Sequence, residues 1–80
     1  MMAIVYKSER QRDLYLYVSA DDDLSRVPEA LLEKFGEPVH ALTFELDANR
    51  TLAREDPQKV LANLEAEGFH LQMPPPEGGW

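Results

Sequence analysis

Two short runs near the start of the chain are apolar at successive positions rather than only at alternate ones. Residues 3–7 (Ala-Ile-Val-Tyr-Lys) and 14–18 (Leu-Tyr-Leu-Tyr-Val) are rich in β-branched and aromatic side chains, which favour strands. Strands of this kind tend to be covered on both faces. The two runs are therefore predicted to lie centrally in a sheet with helices on either side, joined by a polar connector short enough for a hairpin.

The first predicted helix follows these strands. Pro28 suits its first turn, and Gly36 suits the left-handed position after its last turn. Its apolar stripe has helical spacing and comprises Leu24, Val27, Leu31 and Phe35.

The second predicted helix has a stronger start signal. Asp56 is predicted to be the N-cap and Pro57 the first helical residue, and the helix runs to about Glu67. Gly68 is predicted to end it with a positive φ. The buried stripe of this helix comprises Val60, Leu61 and Leu64.

Two further strands complete the predicted fold. Residues 39–46 alternate, with Leu42, Phe44 and Leu46 on one face, and residues 69–73 alternate again. The order strand, strand, helix, strand, helix, strand indicates an α/β (α+β) fold. We predict a small three-layer α/β/α sandwich with a mixed four-stranded sheet, formed by residues 1–73 as a single domain.

Residues 74–80 form a proline-rich C-terminal tail. Proline lacks the amide donor of a strand ladder, so this segment is predicted to adopt polyproline II. It is either a docking peptide for a partner or a cover for the domain's own sheet edge. The candidate docking tail comprises Pro74, Pro75, Pro76 and Trp80.

Composition narrows the class of protein. The chain has 80 residues and no cysteine, which excludes a disulfide framework, a thiolate zinc site and a cysteine nucleophile. A secreted domain of this size usually needs disulfides, and no segment approaches transmembrane length, so we expect a cytoplasmic protein without a membrane partner. The formal net charge of −7 opposes general nucleic-acid binding, because the field of the molecule repels phosphates.

Familiar catalytic and cofactor motifs do not occur in the sequence. The serines lack nucleophile-elbow glycines and there is no glycine-rich phosphate loop, so no catalytic, cofactor-binding or metal-binding residue is predicted. The run Asp21–Asp23 suits a hard cation, but it equally suits a solvated loop before a helix N-terminus. His40 and His70 would need to meet across adjacent strands with Glu45 to form a metal or acid–base site, and they lack metal-ligand spacing.

Basic and aromatic side chains gather around the first hairpin. Tyrosines beside cations can form a platform for single-stranded nucleic acid, although tyrosines in central strands usually pack under helices. Arg26 suits either a salt bridge to Asp22 or Asp23 or a contact with a phosphate or partner. The candidate partner or RNA surface comprises Lys7, Arg10, Arg12, Tyr15, Tyr17, Arg26, Arg50 and Arg54.

Several segments together resemble the YcgL family of small proteobacterial proteins. They are residues 5–8, 14–18, 22–28, 35–36 and 68–76, so the match runs through almost the whole chain. The combination of Ser-Arg-Val-Pro with a closing Leu-Gln-Met-Pro-Pro-Pro is its most specific part. The resemblance implies a compact α/β/α sandwich of uncharacterised function. It also implies an association with RNA processing, as a helper of an RNase D-like exoribonuclease.

These observations lead to three functional hypotheses. The main one is a non-enzymatic module that docks on another intracellular protein. The second is an accessory RNA-processing factor that acts through the region of Tyr6, Lys7, Arg10 and Arg12, with an exoribonuclease partner supplying most of the affinity for RNA. The third is a small enzyme or sensor for an anionic ligand, which requires Arg26, His40 or His70 to converge on a pocket. Arginines on one shared face would favour RNA, and scattered arginines would favour the docking module.

Overall fold

The computed structural model of the chain describes residues 1–49, 52 and 55–74. Within these residues the elements follow the predicted order of strand, strand, helix, strand, helix, strand. Their bounds are β1 Met2–Ser8, β2 Tyr15–Ser19, α1 Glu29–Phe35, β3 Pro38–Glu45, α2 Pro57–Ala66 and β4 Phe69–Gln72. Neither helix of this described part is long and apolar enough to span a bilayer.

The strands form a four-stranded sheet in the spatial order β3-β1-β2-β4. β1 and β2 occupy its centre, as their apolar character on both faces predicts. The α/β class is confirmed, but the prediction of a mixed sheet is wrong, because each strand pairing is antiparallel. α1 carries the chain from β2 to the far side of β1, so β2 and β3 run in the same direction without being neighbours.

Alternate side chains of the central strands enter two separate cores, one on each face of the sheet. On the face covered by α2, which we call the α2 face, Ala3, Val5 and Tyr17 pack with Val60 and Leu64. The opposite face, the α1 face, is covered by α1. Its buried residues are Leu14, Leu16, Val18, Val27 and Phe35. One helix on each face makes the three-layer sandwich that the sequence predicts.

α1 is shorter than the helix that the apolar stripe predicts. Leu24 and Val27 pack in the α1-face core, but residues 20–27 form turns and a bend, and the helix begins only at Glu29. Pro28 is the N-cap, with an extended ψ of 140°, instead of a first-turn residue. Consecutive turns place side chains at spacings that resemble those of a helix, so periodicity alone overestimates the length of this element.

α2 has the start that the sequence predicts. The side chain of Asp56 accepts a hydrogen bond from the Gln58 amide at 3.0 Å, and Pro57 is the first helical residue. The cap satisfies one of the amides that have no partner within a helix, and proline has no amide to satisfy. Val60 and Leu64 are buried, as predicted.

Each helix is followed by a glycine in the left-handed half of φ space. Gly36 after α1 has a φ of 86° and Gly68 after α2 has a φ of 88°. Glycine adopts such angles without the steric cost that a Cβ atom imposes. The positive φ predicted for Gly68 is confirmed.

An arginine from an earlier loop lies over each of these glycines. Arg10 covers the glycine after α1, and its Nη1 donates to the Glu33 carbonyl at 2.8 Å. Arg26 covers the glycine after α2, and its Nη2 donates to the Ala66 carbonyl at 3.1 Å. Each guanidinium therefore meets the unpaired carbonyls and the negative end of a helix dipole.

A β-bulge divides β3 into two segments of opposite phase. Val5 of β1 is paired with Leu42, but Tyr6 is paired with His40, so Ala41 is the extra residue. Leu42 therefore belongs to the α2 face, although it is 49% exposed, whereas His40 lies beside Tyr6 on the α1 face. The strict alternation predicted for this strand holds only after the bulge.

Replacement of Gly68 by alanine should lower the free energy of unfolding by about 1–2 kcal/mol, the cost of a forced left-handed residue. A Cβ atom at this position would lie 2.5 Å from the Cβ of Arg26, so crowding adds to the strain. Urea unfolding measures the loss, with Glu65→Ala on the exposed face of α2 as the control that should change little. An unchanged midpoint for Gly68→Ala would contradict the prediction.

Candidate functional site

An open groove of about 590 Å³ lies where the first hairpin leaves the sheet. The strand register places three of its lining residues side by side, Val39 on β3, Lys7 on β1 and Tyr15 on β2. The connector between β1 and β2 supplies further charged side chains. We call this surface the rim groove, and its lining includes Lys7, Glu9, Arg12, Asp13, Tyr15 and Val39.

The rim groove offers both signs of charge. Lys7 and Arg12 are exposed, and neither side chain has a hydrogen-bond or ion-pair partner among the described residues. Glu9 and Asp13 are exposed in the same groove. Asp13 has a φ of 63°, a conformation that aspartate tolerates better than most residues. Two cations and two carboxylates are thus presented together to solvent.

The ring of Tyr15 forms the apolar part of the groove. It is half-buried and packs against the α2-face core, while the rest of its surface lines the groove together with half-buried Val39. A tyrosine ring supplies a large contact area at low cost in conformational entropy, because it has few rotatable bonds. The arrangement therefore suits a contact that combines an apolar anchor with charged flanks.

Two arginines of the candidate partner surface lie elsewhere. Arg10 closes the end of α1 in a separate cleft, and Arg26 closes the end of α2. Arg26 also pairs with Asp22 at 3.5 Å, as the salt-bridge interpretation predicts. Arg50 and Arg54 lie outside the described residues. The arginines that the structure describes are therefore distributed over three places and do not share one face.

The candidate docking tail falls mostly outside the described residues. Pro74 is described and half-buried, and Met73 before it is 60% exposed. Pro75, Pro76 and Trp80 are not among the described residues. Both interpretations of the tail, a docking peptide and a cover for the sheet edge, stay predictions.

A buried polar cluster lies under α2 and next to the rim groove, and sequence reasoning did not find it. The hydroxyl of Tyr17 donates to Gln72 Oε1 at 2.9 Å, and its ring contacts that of His70 edge-on at 5.8 Å between centroids. His70 Nδ1 lies 2.8 Å from Asn63 Nδ2, and His70 Nε2 lies 3.0 Å from Glu55 Oε1. The amide nitrogen can only donate, so Nδ1 accepts and Nε2–H donates to the carboxylate.

This cluster offers no free ring nitrogen to a ligand. Both ring nitrogens of His70 are occupied, so neither is open to a metal ion or to a proton from a ligand. Burial, followed by the electrostatic effect of the Glu55 carboxylate, raises the pKa of Tyr17 and keeps its hydroxyl protonated as a donor. Tyr17 is thus a packing residue of the α2 face instead of an open stacking platform. Its partnership with His70 follows from the pairing of β2 with β4, which no local pattern reveals.

The two histidines lie on opposite edges of the sheet, since β3 and β4 are its edge strands. His40 is exposed, its Nε2 lies 2.7 Å from Thr43 Oγ1, and its ring contacts that of Tyr6 at 6.3 Å. Glu45 accepts a hydrogen bond from the Met1 amino group at 2.6 Å. The fold therefore does not bring His40, His70 and Glu45 into one site.

Two residues of the run Asp21–Asp23 make side-chain contacts that hold their loop against the rest of the domain. Asp22 pairs with Arg26 near the end of α2, and Asp23 accepts a hydrogen bond of 2.6 Å from the hydroxyl of Tyr6 on the α1 face. That hydrogen bond, followed by burial and the charge of Asp23, raises the pKa of Tyr6 to about 12. Within the described residues, no three histidine, aspartate or glutamate side chains are grouped to hold a metal ion.

The chain is similar to known proteins over most of its length. The model of the YcgL domain family matches residues 3–75. A YcgL domain-containing protein of Azotobacter vinelandii is 62% identical over 73 residues, which cover 91% of this chain and 75% of that protein. Similar proteins of Pseudomonas entomophila and Pseudomonas aeruginosa are 58% and 59% identical over the same shares of each chain. Their names state a domain and no activity.

Replacement of each histidine by alanine should change the free energy of unfolding by different amounts. His70→Ala removes a hydrogen-bonded partner from Asn63 and Glu55 and should lower the free energy of unfolding by about 1–3 kcal/mol. His40→Ala, at an exposed position of the other edge strand, should change it by about 0.5 kcal/mol or less. Urea unfolding of the two variants makes the comparison, and equal losses would contradict the buried cluster.

The Tyr6 hydroxyl should titrate at a pH of about 12. The folded-state pKa lies above the unfolded value of about 10, so this contribution to stability is complete below pH 10 and is lost as the pH rises towards 12. The ultraviolet titration of wild type minus that of Tyr6→Phe isolates this group. Asp23→Asn should move the difference curve to lower pH, because the carboxylate acceptor and its charge are removed. A curve unchanged by Asp23→Asn would contradict the assignment.

Proposed function

We propose that this chain, which belongs to the YcgL domain family, is a non-enzymatic module that docks on another intracellular protein. The observation that carries the proposal is the rim groove. Lys7 and Arg12, without a side-chain partner in the described part of the chain, stand there beside the half-buried ring of Tyr15. Aromatic and arginine side chains are the ones that most often anchor protein–protein contacts.

The positions of the other polar residues support a docking module over an enzyme acting on an anion. Such an enzyme would draw on Arg26, His40 or His70, which lie at the end of α2, on β3 and on β4. Arg26 is held by a helix carbonyl and a carboxylate, and His70 is held by an amide and a carboxylate. These contacts explain the three residues as parts of the scaffold and its surface.

The same distribution weighs against RNA as the direct ligand. Of the arginines in the described residues, only Arg12 lines the rim groove, where Lys7 is its cationic neighbour. Two phosphate contacts give little affinity at physiological salt, since the electrostatic part of binding grows with the number of phosphates neutralised. Tyr17 is buried and hydrogen-bonded to Gln72, which leaves Tyr15 as the accessible ring of the pair. A role beside an RNase D-like exoribonuclease rests on the family resemblance and requires that partner to bind the RNA.

Charge reversal in the groove provides the test. Immobilised wild type, Lys7→Glu/Arg12→Glu and the control Lys34→Glu/Lys59→Glu are used to capture proteins from a native lysate, and quantitative mass spectrometry compares the eluates. Both variants change the net charge equally, but Lys34 and Lys59 lie on the exposed surfaces of α1 and α2. We expect a partner that the wild type and the control retain and that the groove variant retains about tenfold less, because both groove cations oppose it after reversal.

Two outcomes would contradict the proposal. Equal capture by the groove variant and the control would show that docking does not use the rim groove. Submicromolar binding of a short single-stranded RNA by the wild type alone, measured by fluorescence anisotropy at physiological salt and lost in Lys7→Glu/Arg12→Glu, would identify nucleic acid as the ligand. Urea unfolding of each variant verifies that the fold is intact.

A further inference from the structure

We infer that the segment of the partner that occupies the rim groove carries charges of both signs around an apolar residue. This inference rests on the proposed function and specifies the chemistry of the partner. It is drawn from six of the seven residues that line the groove, Lys7, Glu9, Arg12, Asp13, Tyr15 and Val39.

The charges of the groove cancel. Lys7 and Arg12 attract a carboxylate, but Glu9 and Asp13 line the same groove and repel it. A purely acidic segment would therefore meet two unfavourable contacts for two favourable ones, and a purely basic segment would meet the reverse. Like charges brought together across an interface are a strong source of discrimination between partners. A segment with an acid facing the cations and a base facing the carboxylates satisfies both pairs.

The floor of the groove requires an apolar contact. Tyr15 and Val39 are half-buried, and Lys7 lies between them in the register of the sheet. Contact with an apolar side chain is the most favourable way to remove the remaining exposed surface of the tyrosine ring and of the valine from water. Ion pairs at such an exposed surface contribute little by themselves, so the apolar residue supplies affinity and the charges supply selectivity.

The net charge of the whole chain does not override this local pattern. With a formal net charge of −7, the molecule as a whole attracts positively charged groups, and at low salt this would favour any cationic peptide. At physiological ionic strength the field of exposed charges decays over about 8 Å, so the side chains that line the groove dominate. Selectivity measured at physiological salt therefore reports on the groove.

Three peptides of equal length serve as probes in an NMR titration of the isotope-labelled full chain at physiological salt. One alternates glutamate, leucine and lysine, the second replaces each lysine by glutamate, and the third replaces each glutamate by lysine. We expect the mixed peptide to bind wild type about fivefold more tightly than either single-sign peptide, the effect of two exposed charge pairs. Amide shifts at Lys7, Arg12 and Tyr15 should locate the contact.

Charge reversal should invert the preference in opposite directions. Lys7→Glu/Arg12→Glu makes the groove wholly acidic and should then prefer the lysine peptide. Glu9→Lys/Asp13→Asn leaves only cations in the groove and should prefer the glutamate peptide, and asparagine tolerates the positive φ at position 13. The matched control Lys34→Glu/Lys59→Glu leaves the groove unchanged and should keep the preference of wild type.

Several results would overturn the inference. One is that the wild type binds a single-sign peptide as tightly as the mixed one. Another is that the charge-reversed variants keep the peptide preference of the wild type. A third is that the peptide shifts amide signals away from the groove instead of those at the groove. Self-association of the wild type in sedimentation, abolished by either reversal and restored by mixing the two reversed chains, would identify a second copy of this chain as the occupant. The lysate capture is independent of these peptides. If it succeeds while the peptides fail, only the chemistry inferred here is wrong, and if it also fails, the docking proposal itself is wrong.

Discussion

The need to cover both faces of β1 and β2 is the constraint on which the rest of the domain depends. Each central strand places apolar side chains on the α1 face and on the α2 face, so a two-layer arrangement would leave one of them in water. The helices that cover them have only seven and ten residues, lengths that are not stable alone in water. Sheet and helices therefore stabilise one another, because each covers apolar surface of the other.

In short helices, the unpaired backbone groups at the ends are a large share of all backbone groups. An α-helix leaves about four carbonyls at its C-terminus without an internal partner, which is a large share of a helix as short as α1. Arg10 and Arg26 reach these carbonyls from loops that precede each helix in the chain. Ser8 reinforces the first contact, since its hydroxyl donates to the Phe35 carbonyl at 2.6 Å and accepts from the Arg10 amide. Two arginines that composition alone would assign to a binding surface thus belong to the scaffold.

Local sequence patterns predicted the helices and strands, whereas the strand order and the contacts between distant side chains depend on long-range pairing. The apolar runs of β1 and β2, the Asp56 cap and the Gly68 turn follow from neighbouring residues, and the structure confirms them. The antiparallel sheet and the His70 contacts depend on which strands become neighbours, which periodicity does not encode. For the candidate site, sequence reasoning included Lys7, Arg12 and Tyr15 but also residues whose partners lie more than twenty positions away. It omitted Glu9 and Asp13, which neighbour the cations in the sequence, because it selected basic and aromatic side chains. It omitted Val39 because the place of this residue beside Lys7 appears only in the folded sheet.

The bulge in β3 changes what the loss or gain of a single codon would mean for this protein. A one-residue shift within a strand normally inverts every side chain beyond it and is incompatible with a buried sheet. In β3 one such shift is already accommodated at Ala41, and only the three residues before it have the inverted phase. Removal of Ala41 would make His40 and Leu42 successive residues of a regular strand, so His40 would stay beside Tyr6 on the α1 face and Leu42 beside Val5 on the α2 face. This edge strand is thus a place where the loss of one residue can be absorbed without changing which side chains face each core.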